Sequence, residues 1–311
     1  MTGSRRLLLL IGLTVALLLA GQVLLPGFLG PGQIANQLKI AAFLGLFGLC
    51  QTIVMAAGGQ GLDLSVGATA TLGGILGAAL LPDVGNVFAG VAALAAGLLV
   101  GLVNGFGIAV LGVPPLVATL AVASVLDGAL IVGVSVLHPG NAASAALVAI
   151  AGRGSFGVPN IVLVWAALGG VALWLLLRSA WGRRLCATGS NATTALLSGV
   201  DTTAVRAGAY ALSGGLAALT GFLLTGYVGQ AFLGLGNAYI LTSIVAAAIG
   251  GVALAGGSAP YLGVVCAAIM MTVLVSVLTA IEVGESGRQI VFGLILLGFL
   301  VLDRRFARSA G

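Results

Sequence analysis

The stretch NVFAGVAALAAGLLVGLVNGFGIAVL, residues 86–111, decides the class of fold. It carries no charged side chain and shows no alternation of polar and apolar residues. At about 1.5 Å per residue, a helix of this length crosses the roughly 30 Å hydrocarbon core of a bilayer. Gly97, Gly101 and Gly105 recur every four residues, with Ala93 extending the row. Such a ridge of small residues lets helix backbones approach closely and pack by dispersion. The stretch reads as a lipid-embedded helix seated on a neighbour; a flexible or pathway-lining helix is the other reading of the same glycines.

The whole chain repeats this character. Of 311 residues, 60% are hydrophobic and 6% charged, and the mean hydropathy is +1.24. A soluble domain needs about a quarter of its residues charged to hydrate its surface. Lipid must therefore be the solvent, and backbone groups in lipid must pair internally, as helices or a closed barrel. Long unbroken apolar runs select helices. The predicted fold is all-α: one polytopic transmembrane domain over residues 1–311, with about ten spans and both termini cytoplasmic. The spans fall at 7–25, 36–57, 64–81, 86–111, 115–137, 160–178, 207–226, 236–255, 260–281 and 288–303. The breaks at Gly112 to Pro115 and Gly256 to Pro260 carry the count.

Charge supports ten crossings. With the N-terminus inside, Arg5, Arg6, Arg178, Arg183, Arg184, Arg206, Arg304, Arg305 and Arg308 all fall on the cytoplasmic side. Lys39, Arg153 and Arg288 fall outside, and this is the bias that the positive-inside rule asks for. The net charge of +5 thus belongs to membrane edges and not to a nucleic-acid surface. Arg5 and Arg6 before the run from Leu7 look like a signal peptide, but no small-x-small cleavage site precedes Pro26, so a retained first helix is expected. Cys50, Cys186 and Cys266 match no metal or redox spacing, and no cofactor or metal site is expected.

Four polar features remain. Between the second and third spans, Gly58-Gly59-Gln60-Gly61-Leu62-Asp63-Leu64-Ser65-Val66-Gly67 is either a turn capped by Asp63 and Ser65, with the carboxylate facing the cytoplasm, or a broken helix beside a pathway. Asp127 lies mid-span with Thr119, Ser124 and, one span earlier, Asn104; pathway lining and a structural hydrogen bond are both open. The inner loop from Arg178 to Arg206 predicts a short helix, Ala192 to Leu197, started by Ser190-Asn191 and stopped by Ser198-Gly199. Asp201-Thr202 then caps the next span. That short helix either rests on the bilayer or docks a cytoplasmic partner. The outer loop at 138–159 holds His138, Asn141 and Arg153.

These residues bring a family into view. The chain resembles the membrane subunits of bacterial ATP-binding-cassette importers for ribose, xylose, arabinose and galactosides. The family pattern G-G-I-D-L-S-V-G is similar to Gln60 to Gly67, with Gln60 for the first glycine and Leu62 for isoleucine. G-x-x-N-G followed by P-P-F-I-A-T-L resembles Gly101 to Gly105 and Pro114 to Leu120. G-R-x-x-Y-A-x-G-x-N-x-x-A-x-x-S-G-I resembles Gly182 to Val200, with Cys186 replacing the aromatic. Gly250-Gly251 to Gly257 and Arg288 to Arg304 also match in spacing, so the likeness covers nearly the whole chain in order.

The resemblance implies a permease protomer in the bacterial cytoplasmic (inner) membrane, paired with a second permease protomer. Its other partners would be a cytoplasmic ATPase subunit, a periplasmic or extracellular sugar-binding protein and the lipid bilayer. It turns residues 178–206 into a coupling loop, with Gly189, Asn191, Ala195, Leu196, Ser198 and Gly199 docking the ATPase and Ala195 as the small side chain in its cleft. Asn104, Thr119, Ser124, Asp127, Asp63 and Ser65 become the pathway residues. The sequence agrees that an ATPase must be separate: its one lysine, Lys39, has no phosphate-loop glycines before it. A stand-alone secondary transporter is the runner-up, weakened by the scarcity of intramembrane charges. A membrane protease would rest on Gly284-Glu285-Ser286-Gly287, with His138 as its single possible base.

Overall fold

The computed structural model describes residues 3–137, 140–152, 154–155 and 157–309. His138 and Arg153 lie outside the described residues. In chain order the helices are α1 (Gly3–Leu24), α2 (Pro31–Ala56), α3 (Val66–Ala109), α4 (Pro115–Leu137) and α5 (Ala145–Gly152). After a minimal hairpin, β1 (Gly154–Ser155) with β2 (Val158–Pro159), come α6 (Asn160–Arg178), α7 (Ala180–Ser190), α8 (Ala192–Leu197) and α9 (Thr202–Val228). The chain closes with α10 (Ala238–Gly250), α11 (Tyr261–Ala280) and α12 (Glu285–Ser309). Among the described residues, seven helices are long and apolar enough to cross a membrane: α1, α2, α3, α4, α6, α9 and α11. The chain is an all-α polytopic membrane protein.

At 44 residues, α3 is about 66 Å long, twice a bilayer core. It does not run straight. Pro82 removes a ladder donor, and Gly85 (φ 75, ψ 175) leaves helical geometry, in the gap between the expected spans 64–81 and 86–111. The two arms run along α9 in opposite directions. On the first, Gly73 and Gly77 meet Ala218 and Phe222; on the second, Gly97, Gly101 and Gly105 meet Gly214, Tyr210 and Ala207. A Cβ on Gly101 would overlap the Tyr210 carbonyl oxygen, so the packing-seam reading of this glycine row is the one the structure adopts.

Helix α2 is the axis of the bundle. Every residue from Ala41 to Ala56 is buried, against α6, α9, α10 and α11. The expected span 236–255 is shortened, because α10 stops at Gly250 after 13 residues, or about 20 Å. Gly251 (φ 103), Gly256 (φ 96) and Gly257 (φ 86) are all left-handed, a backbone that ends a helix however apolar its neighbours.

The loops sort onto two ends of the bundle. At one end Gly58 abuts Gly189 and Gly256, and Arg6 lies over Gly251. At the other, Tyr227 Oη donates to Asn36 Oδ1 (2.9 Å), Ser144 Oγ donates to Asn86, and Ala142 bridges to Gln230. Two helical pieces were not anticipated: α5 within the outer loop, and α7 ahead of the short loop helix.

Candidate functional site

The Gly58–Gly67 segment leaves α2 through left-handed Gly58, Gly59 and Gln60 and enters α3 at Val66. Between them Asp63 is buried, not turned to the cytoplasm as the capped-turn reading expects. Its Oδ1 accepts from the Ser65 N–H (3.0 Å) and the Ser65 hydroxyl (2.6 Å). Its Oδ2 accepts from the Ser213 hydroxyl on α9 (2.8 Å). Ser65 Oγ in turn accepts from Asn104 Nδ2 on α3 (2.8 Å). Gln51 of α2 clamps the Asp63 backbone, its Nε2 donating to the carbonyl (2.8 Å) and its Oε1 accepting from the N–H (3.3 Å). The Leu64 N–H donates to Thr119 Oγ1 near the start of α4 (3.2 Å).

Asp63 thus joins α2, both arms of α3 and α9, and the adjoining Leu64 ties α4 to the same point. Ser65 sits at the N-cap position of α3, yet its side chain makes no cap bond, because its hydroxyl serves Asp63. Burial pushes the Asp63 carboxyl above the ordinary carboxylate range, and the bonds from Ser65 and Ser213 hold it back. Four of the six expected pathway residues (Asp63, Ser65, Asn104 and Thr119) meet here, all buried. Gln51 and Ser213 were missed; a lone polar residue inside an apolar run was their signal. On the same face of α9, Arg206 Nε and the buried Tyr210 hydroxyl have no hydrogen-bond partner among the described residues, nor has Asn104 Oδ1 of α3.

The other two pathway residues stand apart. Ser124 is exposed on α4, its hydroxyl donating back to the Leu120 carbonyl (3.0 Å) in a shallow groove with Leu116, Val117 and Ala121. Asp127 lies one turn on, half-buried. Helix α4 packs chiefly on α3, so both residues sit on the outer flank of this chain.

The inner loop follows local capping rules closely. Asn191 Oδ1 accepts from the Thr194 N–H (3.0 Å), α8 spans the expected Ala192–Leu197, and Gly199 (φ 81) stops it. Asp201 Oδ1 accepts from the Ala204 N–H (2.9 Å) to start α9. Ser179 caps the unforeseen α7 by accepting from the Gly182 N–H (3.0 Å). At the junction of α7 and α8, a Cβ on Gly189 would overlap the Ala56 carbonyl oxygen, and one on Gly257 would overlap the Ser190 hydroxyl. The Gly257 N–H donates to that Ala56 carbonyl (3.1 Å). The Gly58 and Gly256–Gly257 loops thus close on the end of α7, just ahead of α8. Ala195, expected as an accessible docking side chain, is only 5% exposed, because α8 rests on this chain through it. Leu196 and Leu197 are 60% and 84% exposed instead.

Seven helices among the described residues, apolar and long enough to cross a membrane and tied by a buried polar hub, define a polytopic membrane protein. The sequence model for the permease component of branched-chain amino acid transport systems matches residues 33–300, and the chain belongs to that family. It is 32% identical to a ribose import permease protein of Bacillus subtilis (strain 168) over 91% of this chain and 88% of that protein. It is 31% identical to an autoinducer 2 import system permease protein of Salmonella choleraesuis (strain SC-B67), over 89% of this chain and 82% of the relative. The corresponding protein of Escherichia coli O9:H4 (strain HS) is 32% identical over 90% and 83%. No solved structure matches the chain.

Proposed function

We propose that the chain is the membrane-spanning permease subunit of an ATP-binding-cassette importer, moving a monosaccharide or a related small polyol or nucleoside-like solute into the cytoplasm by alternating access. The observation that carries this reading is the likeness to ribose and autoinducer 2 import permeases along about nine-tenths of the chain. ATP hydrolysis then belongs to a cytoplasmic ATPase subunit, and solute arrives on a binding protein at the opposite face. A second permease protomer completes the pathway, in a bacterial cytoplasmic membrane. Ten crossings with both termini inside are supported by the two oppositely directed arms of α3 and by the arginine bias.

In this reading α8 is the coupling helix, and Leu196 and Leu197 enter the ATPase. Force passes through Gly189 into the Gly58 and Gly256–Gly257 loops, and from there to the Asp63 hub one turn of chain away. Thr119 connects the hub to α4, whose flank carries Ser124 and Asp127 into the space between protomers. Asn104, Thr119, Asp63 and Ser65 hold the moving parts in register beside that pathway. Uncharged donors and acceptors such as Ser124 suit a polyhydroxylated solute.

The test is reconstitution of the chain with its ATPase and binding protein in proteoliposomes. Uptake of labelled ribose or another sugar that requires ATP and the binding protein is the expected outcome. Uptake by the chain alone, without ATP, would make it a stand-alone transporter. Uptake of leucine but no sugar would return the solute to the amino-acid class named by the family.

A further inference from the structure

At the arginine-bearing end of the bundle, a cavity of about 500 Å³ opens between α1, α6 and the start of α11. Its walls are apolar, chiefly Leu7, Leu173, Leu177 and Leu262, and its polar groups include the Arg6 guanidinium and the exposed Ser258 hydroxyl. No Asp or Glu lines it, and among the described residues Arg6 forms no ion pair. Arg6 is held over Gly251, where any Cβ would collide with its guanidinium. It is not needed to cap α10, since the Ala247 and Ala248 carbonyls already accept from the Val252 and Gly251 N–H groups (3.0 Å each). Two further exposed cations adjoin the lining residues in sequence, Arg5 beside Arg6 and Arg178 beside Leu177.

We propose that this cavity binds an anionic phospholipid, with the acyl chains along Leu7, Leu173 and Leu177 and the headgroup phosphate on Arg6 and Ser258. Apolar walls beside Arg6, which has no ion-pair partner among the described residues, match the two halves of such a lipid. A guanidinium presents paired donors to a phosphate, which a neutral headgroup rewards less. The proposal needs only that the chain is membrane-embedded and is independent of the ATPase and the solute.

The test uses the full chain purified in uncharged detergent, with native mass spectrometry and thermal unfolding to follow added phosphatidylglycerol or phosphatidylcholine. Wild type will bind phosphatidylglycerol in preference and unfold later with it. Arg6→Gln will lower that preference by about fivefold, the worth of one arginine near an anionic surface. Arg6→Lys will keep most of it. Leu177→Trp, which narrows the mouth without touching the charge, will weaken both lipids and guards against misfolding of the Arg6 variants. An unchanged preference in Arg6→Gln would overturn the proposal. So would equal stabilisation by inorganic phosphate, which would leave the acyl walls without a role. Equal destabilisation of Arg6→Gln with and without lipid would reduce Arg6 to an internal strut.

Discussion

Replacing Asp63 separates a structural hub from a charged binding group. In Asp63→Ala three donors lose their acceptor: the Ser65 N–H, the Ser65 hydroxyl and the Ser213 hydroxyl. Ser213 has an escape, since helix hydroxyls such as those of Thr220 and Thr225 already turn to the carbonyl four residues back. The two Ser65 donors, held at the start of α3, are left buried, and each unmet buried donor costs about 1–3 kcal/mol. The expected loss is therefore about 2–6 kcal/mol, or a fall in apparent Tm of roughly 4–24 °C. In Asp63→Asn the remaining oxygen still serves Ser65, and the amide faces a Ser213 hydroxyl free to accept. That substitution should cost about 1 kcal/mol, or roughly 2–4 °C.

The assay is thermal unfolding in one detergent at a fixed scan rate, because unfolding of such proteins is commonly irreversible. If Asp63→Asn is as damaging as Asp63→Ala, the negative charge and not the acceptor count is essential, and the hub reasoning fails. The pH response follows from the same burial. A carboxyl raised in the fold favours the protonated form, so its contribution is complete below the ordinary carboxylate range and is lost as pH rises through the folded value. The stability advantage of wild type over Asp63→Asn should thus be largest at acid pH and shrink upward; growth with pH would contradict it.

Gly189→Ala, whose Cβ overlaps the Ala56 carbonyl oxygen, should lower Tm by several degrees while leaving membrane insertion intact; an unchanged melting curve would mean that this junction is looser than drawn. Leu197→Glu should fold and insert normally but lose co-purification with the ATPase, whereas Ala195→Arg should destabilise the chain itself; the reverse pattern would return Ala195 to the docking surface. In a background with the native cysteines replaced, Ala145→Cys should react with an impermeant thiol reagent from outside and Thr203→Cys only after permeabilisation; labelling of both from one side would break the ten-crossing topology. Asp127→Leu should cut uptake per folded molecule at least tenfold, measured against Asp127→Asn; normal uptake would remove the carboxylate from the pathway.

Much of this architecture was legible because it obeys local rules. Apolar runs and their glycine breaks marked the helices, and Asn191, Ser198 and Gly199 bounded α8 to the residue. The end of α10 was not legible, since Gly250 and Gly251 sit in apolar sequence and hydropathy does not see a left-handed backbone. Helix α7 was not anticipated, and its Gly182 and Gly189 serve close packing against Leu176 and Ala56. The hub was visible only in pieces. Asp63 and Ser65 stood out in the glycine-rich break and Asn104 and Thr119 as polar residues within spans, but the Asp63 to Ser213 bond joins positions 150 apart in sequence, a distance no local pattern spans. The burial of Ala195 was not legible for a similar reason: smallness suits a docking cleft and a tight seat on one's own chain equally well.

Two carboxylates, Asp63 and Asp127, now divide by their surroundings. Both carboxylate oxygens of Asp63 accept hydrogen bonds from this chain, two on Oδ1 and one on Oδ2, which ties the start of α3 to α9. Asp127 is half-buried on a helix that touches little beyond α3, and among the described residues it has no hydrogen bond and no ion pair. A carboxylate left facing lipid costs about 2.5–3.5 kcal/mol on insertion scales, which single helices rarely bear without compensation. Among the described residues nothing compensates it, so water or another chain is the source that the proposed function supplies. Either source requires that the outer flank of α4 face a cavity or a protomer and not hydrocarbon. In the proposed function, the flank that carries Ser124 and Asp127 is the one that would meet a second permease and the solute pathway, even though neither residue joins the buried hub.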